Sequence, residues 1–399
     1  MNNELEKIRQ FYFDKLFGES IPFWLKHAVD WELGGYWTSL DRDGTVVDTD
    51  KIAWQQGRFT WLLAELFNDP RFGKHAEAPS WLEAAGQGAR FMRDHGFDPQ
   101  DGRMWFHLDR QGNPIRKRRY AFSESFAAIA FGELSQANGN DQDRELAIAC
   151  FEEFRNHGQN PKHVEPKFTG TRRMKSIGLP MISIGTAQEL RGSIGLDNAE
   201  AIIDSAIGEI ESLFVKPELE CVMETVADNG DVIDHFEGRT LNPGHAIEAA
   251  WFVMEEGRVR NHAPYIELGC QMLDWMFDRG WDDEYGGLLY FTDLRGLPVQ
   301  EYWHDMKFWW PHNETLVASL LAYSLTRNPK YLEMHSQVHQ WSFQHFQDDQ
   351  YGEWFGYLHR DGRLSHSLKG NHWKGPFHYP RMLLKSIRIL DSMLQESRF

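Results

Sequence analysis

Cysteine is scarce: Cys150, Cys221 and Cys270 are the three in 399 residues. Their spacing fits neither a metal knuckle nor a disulfide framework, and so few thiols suit a reducing compartment. No apolar run reaches the roughly 18 residues a membrane helix needs, and no charged-apolar-small leader pattern opens the chain. The expectation is a cytoplasmic protein. Positive charge is also short. Lys and Arg total 42 against 59 Asp and Glu, a formal charge of −17, which argues against nucleic acid or an anionic membrane as a partner held by overall field. The phosphate-binding signatures GxGxxG and GxxxxGK[ST] are missing, as are HExxH, HxH, CxxC and the GxSxG elbow. His372 with His378 is not a diagnostic metal pair. Dinucleotide, P-loop, zinc-peptidase and serine-hydrolase chemistry therefore have no support in the sequence.

What is abundant is glycine at fixed intervals. Gly34, Gly102, Gly286 and Gly352 are each followed ten residues later by another, Gly44, Gly112, Gly296 and Gly362. The flanking text repeats an acidic turn, an aromatic-rich strand, a charged turn and a returning strand: DWELGGYWTSLDRDG, FDPQDGRMWFHLDRQG, WDDEYGGLLYFTDLRG and FQDDQYGEWFGYLHRDG. Glycine suits both bends because it reaches positive φ without a Cβ clash. A looser fifth copy turns at Gly230.

Between these hairpins, twelve stretches carry helical periodicity: about 4–28, 54–68, 81–94, 123–137, 142–157, 178–191, 197–214, 244–256, 264–278, 312–326, 329–346 and 378–393. In 197–214, Ile202, Ile203, Ala206, Ile207, Ile210 and Leu213 form one apolar stripe. No linker or low-complexity tract divides the chain, so residues 1–399 are expected to form one domain. Twelve helices in consecutive pairs close into a double ring, an all-α (α/α)6 barrel with short β-hairpins at one rim; an open solenoid is the alternative.

Chemical groups concentrate in WQQGRFTW (54–61), LNPGHAIEAAW (241–251), FWWPHNET (308–315) and KGNHWKGPFHYPR (369–381). Pro243 and Pro311 suit helix starts. His245 and Glu248 share a helical face, whereas His312 and Glu314 diverge unless the helix begins between them. His378, between Pro376 and Pro380, is either a turn filler or a rigidly held base with His245 as its counterpart. Each His–Glu group also has a plain reading as helix capping around a core histidine. Glu124, Glu248 and Glu314 would be the carboxylates of a glycoside hydrolase, if the barrel were one. The basic run Arg116–Arg119 is an ion-paired hairpin edge or an anion site. The 16 Trp and 27 Phe serve either helix interfaces or the apolar face of a sugar.

Taken in order, GGYWTSLDRDG, WQQGR, FSES, NPGHAIEAAWF, MKFWWPHNE, YGEWFGYLHRDG and KGNHWKGPFHYPR closely resemble the N-acylglucosamine 2-epimerase family over nearly the whole chain. The resemblance implies a barrel with a monosaccharide in its central cleft. It also implies His378 and His245 as an acid/base pair at C1–C2, Arg58 beside the reacting oxygens, and Glu248 and Glu314 orienting a histidine or binding hydroxyls. Trp54, Lys307, Trp309, Trp310 and His312 fall in the segments near the sugar. No cofactor is required for such proton transfer. ATP or another nucleotide as an allosteric activator, and a homodimer, are further expectations of the family. The isomerase and cellobiose-epimerase branches carry another histidine near 175–184, which KSIGLPMISI lacks; this favours the acylglucosamine branch, and Leu179 and Met181 would leave an apolar notch for an acyl group.

Expected chemistry is deprotonation of the open-chain sugar at C2 and reprotonation on the opposite face. The alternative is a mannose or glucose 2-epimerase, or an aldose–ketose isomerase that returns the proton at C1. A glycosidase-like barrel and a non-catalytic sugar-binding scaffold complete the rivals.

Overall fold

The computed structural model describes residues 2–159 and 167–396. Its helices are α1 (Asn2–Lys15), α2 (Ile21–His27), α3 (Ala53–Asn68), α4 (Ala78–His95), α5 (Phe122–Asn138), α6 (Asp141–Gln159), α7 (Gly178–Ile194) and α8 (Ala199–Glu209). They continue as α9 (Phe236–Arg239), α10 (Pro243–Arg260), α11 (Ala263–Gly280), α12 (Trp309–Thr326), α13 (Pro329–His345) and α14 (His378–Glu396). Two kinds of helix alternate. In α12 every residue from Trp309 to Tyr323 is buried, the signature of a helix enclosed on all sides. In α4 burial is confined to a stripe containing Trp81, Ala84, Ala85, Gly88, Phe91 and Met92, the signature of a helix facing solvent.

Each inner helix packs on the outer helix that follows it: α3 on α4, α5 on α6, α7 on α8, α10 on α11, α12 on α13. The last inner helix, α14, has no successor and takes α1, the first outer helix, instead. The inner ring runs α3, α5, α7, α10, α12, α14. It closes where Phe377 meets Trp61 with ring centroids 5.5 Å apart and Arg388 binds Asp69 at 2.7 Å and also Glu65. The architecture is the expected (α/α)6 barrel, closed rather than an open solenoid.

Two of the expected helices are not continuous. The stretch 4–28 widens into a π-type turn at Leu16–Ser20, which brings the Ser20 hydroxyl (2.5 Å) and the Trp24 indole N–H (2.8 Å) onto the same Glu353 oxygen. The stretch 197–214 ends α8 at Glu209 and finishes in a similar turn at Ile210–Phe214. Apolar periodicity survives such a turn, so pattern alone does not reveal it.

The hairpins form a charged rim. In each copy an aspartate four residues before the first glycine receives a lysine: Asp30 from Lys51 (2.9 Å), Asp98 from Lys117 (2.6 Å), Asp282 from Lys307 (2.9 Å) and Asp348 from Lys369 (3.0 Å). In three of the four copies an arginine eight residues past that glycine then reaches a neighbouring copy; the third has Leu294 there. Arg110 binds Asp30 at 3.2 Å, Arg360 binds Asp282 at 2.8 Å, and Arg42 of the first hairpin binds Asp348 of the last at 2.8 Å. Burial draws Lys307 and Lys369 down to about 8, while their partners and Arg neighbours hold the aspartates below the usual carboxylate range. Such buried pairs specify geometry more than they add stability.

The second glycines are required by packing. A Cβ on Gly44 would lie 2.2 Å from the ring of His27, one on Gly112 2.2 Å from His95, and one on Gly362 2.5 Å from His345. The third copy departs from this: Gly296 faces open space, and its strand Thr292–Asp293 pairs with Thr240–Leu241 rather than within the hairpin. The fifth copy keeps the turn, with Gly230 at φ 89° and its N–H on Ala227 O at 2.9 Å. Its strand Thr225–Val226, however, pairs with Lys175–Ser176. Strands Lys51–Ile52, Thr240–Leu241 and Lys307–Phe308 run directly into α3, α10 and α12, so the hairpin rim is also where inner helices begin. Among the described residues no helix is long and apolar enough to cross a membrane.

Candidate active site

A cavity of about 1650 Å³ opens among the N-terminal ends of the inner helices. Trp54 and Arg58 of α3, His245 and Glu248 of α10, Trp309 and Trp310 of α12, and His378 at the start of α14 all line it. Residues nominated from widely separated stretches are thus brought to one wall-to-wall space. Partial positive charge at helix N-termini favours developing negative charge there.

His378 is buried and backed by a carboxylate. Its Nδ1 lies 2.7 Å from Glu314 Oε1. Glu314 Oε2 accepts the Trp251 indole N–H at 2.8 Å, so the carboxylate is fixed from both sides. Arg381 Nη2 donates to Glu314 Oε1 at 2.7 Å and to Glu248 Oε1 at 2.6 Å. A carboxylate pair beside an imidazole suits a cation, and the guanidinium of Arg381 occupies that place. Nδ1 meets Glu314 Oε1 at 2.7 Å and the donor Arg381 Nη2 at 3.3 Å; the shorter contact, to an acceptor, favours the proton on Nδ1 and leaves the Nε2 lone pair available. Burial, with the charges of Arg381, Arg58 and His245, holds His378 well below the ordinary histidine value. The neutral ring is thereby favoured.

His245 sits in the first turn of α10, where Pro243 occupies N1 and the Asn242 side chain caps the backbone N–H of His245 at 3.2 Å. Its Nδ1 is 3.0 Å from Glu224 Oε2. Burial acts to lower its proton affinity, but the charge and hydrogen bond of Glu224, with Glu248 behind, outweigh it and the pKa is raised. Trp310 packs near both imidazoles, its ring centroid 5.0 Å from His245 and 5.8 Å from His378. Gly244 makes room for it, since a Cβ there would lie 2.6 Å from the indole.

Among the described residues the Arg58 guanidinium has no acceptor. Its Nε is buried and unpaired, and its head rests 4.1 Å from the Phe126 ring centroid, 5.0 Å from Phe377 and 5.1 Å from Trp54. Burial pulls it down to about 9. Aromatic faces hold its plane while its donors remain unspent for a ligand.

Two nominated residues do not reach the cavity. Lys307 is spent on Asp282 and on Gly287 O at 3.2 Å. His312 is fully buried on the far side of α12. It accepts the Leu288 N–H at Nε2 (2.9 Å), donates from Nδ1 to Phe308 O (2.7 Å) and stacks on Trp341; burial lowers it to about 3. Because α12 starts at Trp309, His312 and Glu314 lie on different faces, one toward the outer layer and one toward His378. Both assignments as sugar contacts are therefore corrected to structural roles. Glu124 is likewise occupied, accepting from Arg103 Nε at 2.6 Å and Met104 N at 2.9 Å. Glu248 and Glu314 meet at one guanidinium instead of flanking a bond, which removes the basis for a glycosidase pair. In the basic run, Lys117 is ion-paired with Asp98 and Asp101 and Arg118 lies over Phe106 and Trp373, an edge held by acids and aromatic rings.

Glu224, Asn242, Trp251 and Arg381 were not foreseen. Asn242 had a signal, an N-cap followed by proline, and Arg381 follows His378 by three, the spacing of one helical face. Glu224 had none, because it lies in the bend before the short strand Thr225–Val226, whose position only tertiary pairing defines.

The N-acylglucosamine 2-epimerase (GlcNAc 2-epimerase) family profile matches residues 35–378. The chain is 34% identical over 387 residues to the N-acylglucosamine 2-epimerase of Bos taurus, covering 94% of this chain and 89% of that protein. Against the enzyme of that name from Mus musculus, identity is 33% over 382 residues, covering 94% and 90%. Among solved structures, the cellobiose 2-epimerase of Bacillus thermoamylovorans superposes with a TM-score of 0.83 at 19% identity, covering 96% of this chain and 99% of that one, a likeness of fold.

Proposed function

Because the chain belongs to the N-acylglucosamine 2-epimerase family, we propose that it interconverts N-acetyl-D-glucosamine and N-acetyl-D-mannosamine by removing and returning the proton at C2. The observation that carries this reading is a pair of imidazoles lining one cavity, both within 6 Å of the Trp310 ring, one depressed and one raised in proton affinity. Two groups with such opposed environments supply a base and an acid at the same pH. The ring must open first, since only the aldehyde makes C2–H acidic enough. One histidine then takes the proton through Nε2, the other delivers one to the opposite face of the planar enediolate, and no redox cofactor is needed. Arg58 stabilises charge on O1 or O2 as it develops, a role in which one placed donor is worth about 3–4 kcal/mol. Trp309 and Trp310 offer faces to the apolar side of the sugar, and Phe126, Ile129 and Met181 on the same cavity wall offer surface to an acyl methyl. A homodimer, nucleotide stimulation and a cytoplasmic setting complete the reading as features shared with the family.

The test is proton NMR in D2O with N-acetylmannosamine, N-acetylglucosamine, mannose, glucose, fructose and cellobiose, each with and without ATP. The expected result is conversion between the two acetamido sugars, with deuterium at C2 of early product while unreacted substrate keeps its hydrogen. Mannose–fructose conversion alone would instead place the returned proton at C1, and hydrolysis without exchange would end the reading.

A further inference from the structure

His245 and His378 each have a carboxylate at Nδ1, and the two pairs differ in one respect. Glu314, behind His378, has Arg381 on the same oxygen at 2.7 Å. Glu224, behind His245, forms no ion pair with any lysine or arginine among the described residues; its partner is His245 itself at 3.0 Å. Glu224 is also rigidly held. Its carbonyl accepts the N–H of Ile177 at 3.1 Å, and the flanking Met223 N–H bonds Phe214 O at 2.9 Å. Thr225 Oγ1 donates to Glu237 O at 2.9 Å on the other side. The carboxylate thus has a fixed backbone, a small exposed fraction of 14% and a full charge directed at one nitrogen.

Building on the epimerase reading, we infer that Glu224 is the positioning residue that keeps the transferable proton on His245, making His245 the resting acid and His378 the resting base. The physical reason is charge bookkeeping at Nδ1. A guanidinium neutralises the carboxylate behind His378, so that imidazole gains little by becoming a cation. The uncompensated carboxylate behind His245 favours imidazolium, with Nδ1–H on Glu224 and Nε2–H toward the cavity. After donation from Nε2 the neutral ring keeps Nδ1–H, so the correct tautomer for recharging is retained. Other groups facing His245 do not substitute for Glu224. Glu248 on the same helix is bound to Arg381, Lys167 opposes protonation, Asn242 Nδ2 at 3.0 Å is neutral, and Trp310 and Tyr290 carry no charge. His378, held neutral, does not oppose a proton on His245.

The experiment compares wild type with Glu224→Gln and Glu224→Asp. Two readouts are used: the pH profile of kcat/KM for N-acetylmannosamine, and NMR titration of the His245 ring signals, assigned with His245→Gln. In Glu224→Gln the basic limb and the His245 titration should both move down by about one pH unit or more, a tenfold change in the protonated fraction. The acid limb, which reports His378, should stay in place, and Glu224→Asp should restore part of the shift. An unmoved His245 titration in a folded Glu224→Gln protein overturns the inference. The titration needs no turnover, so lack of activity on acetamido sugars would count against the epimerase reading while leaving this assignment separately tested.

Discussion

Replacing Arg381 with glutamine probes the charge arrangement behind His378 more directly than replacing the histidine. Arg381 gives Nη2 to both Glu248 and Glu314 and lies 4.5 Å from the Phe377 ring centroid. Its loss is not shared equally. Glu314 would still accept from Trp251 Nε1 and from His378 Nδ1, whereas Glu248 has Arg381 as its one hydrogen-bond partner among the described contacts. One carboxylate, 5% exposed, is therefore left uncompensated, and removal of one partner of a buried pair costs about 3–5 kcal/mol. Glu248→Gln with Arg381→Gln should recover most of that, because the orphaned charge is gone. The two single variants should also move the acid limb of kcat/KM in opposite directions. Arg381 lowers and Glu248 raises the proton affinity of His378, so Arg381→Gln shifts the limb to higher pH and Glu248→Gln to lower pH. For stability the sign follows from the same depression: a histidine kept neutral in the fold contributes stability above its unfolded value near 6.5 and loses it as pH falls below that. Urea denaturation at pH 7.5 and pH-resolved kinetics measure both effects. An Arg381→Gln protein within about 1 kcal/mol of wild type, or parallel shifts in the two variants, would refute the reasoning.

Two further outcomes follow from the geometry. Arg58→Lys and Arg58→Met should lower kcat by about 10²–10³-fold, and Arg58→Met should leave the urea midpoint unchanged or raised, because no ion pair is broken and an unpaired buried donor is removed; a large loss of stability in Arg58→Met would show that Arg58 is structural. Gly44→Ala should destabilise by several kcal/mol, combining left-handed backbone strain of about 1–2 kcal/mol with overlap on His27, while Gly296→Ala, at φ 70° but facing open space, should show the strain alone; equal melting shifts would contradict the packing argument.

Periodic apolar stripes and ten-residue glycine spacing were enough to mark twelve helical stretches and their alternation with hairpins, and to narrow the architecture to a closed barrel or an open solenoid. Those signals are local: a helix buries a stripe through its own 3.6-residue repeat, and a turn demands glycine wherever it stands. The long ordered motifs likewise pointed to Arg58, His245, Glu248, Glu314 and His378, which line or back one cavity. Three-dimensional packing alone decided how the side chains were used. Lys307 and His312 carry the chemistry of a sugar site but face hairpin and outer helix, because helix α12 begins three residues earlier than its pattern suggested and turns His312 outward. Glu224 acquires its role only when a two-residue strand pairs with Lys175–Ser176, and Arg381 only when α14 closes the ring against α10 and α12. A charge's partner is set by distances across the barrel, and a linear chain does not encode those distances until its ends have met.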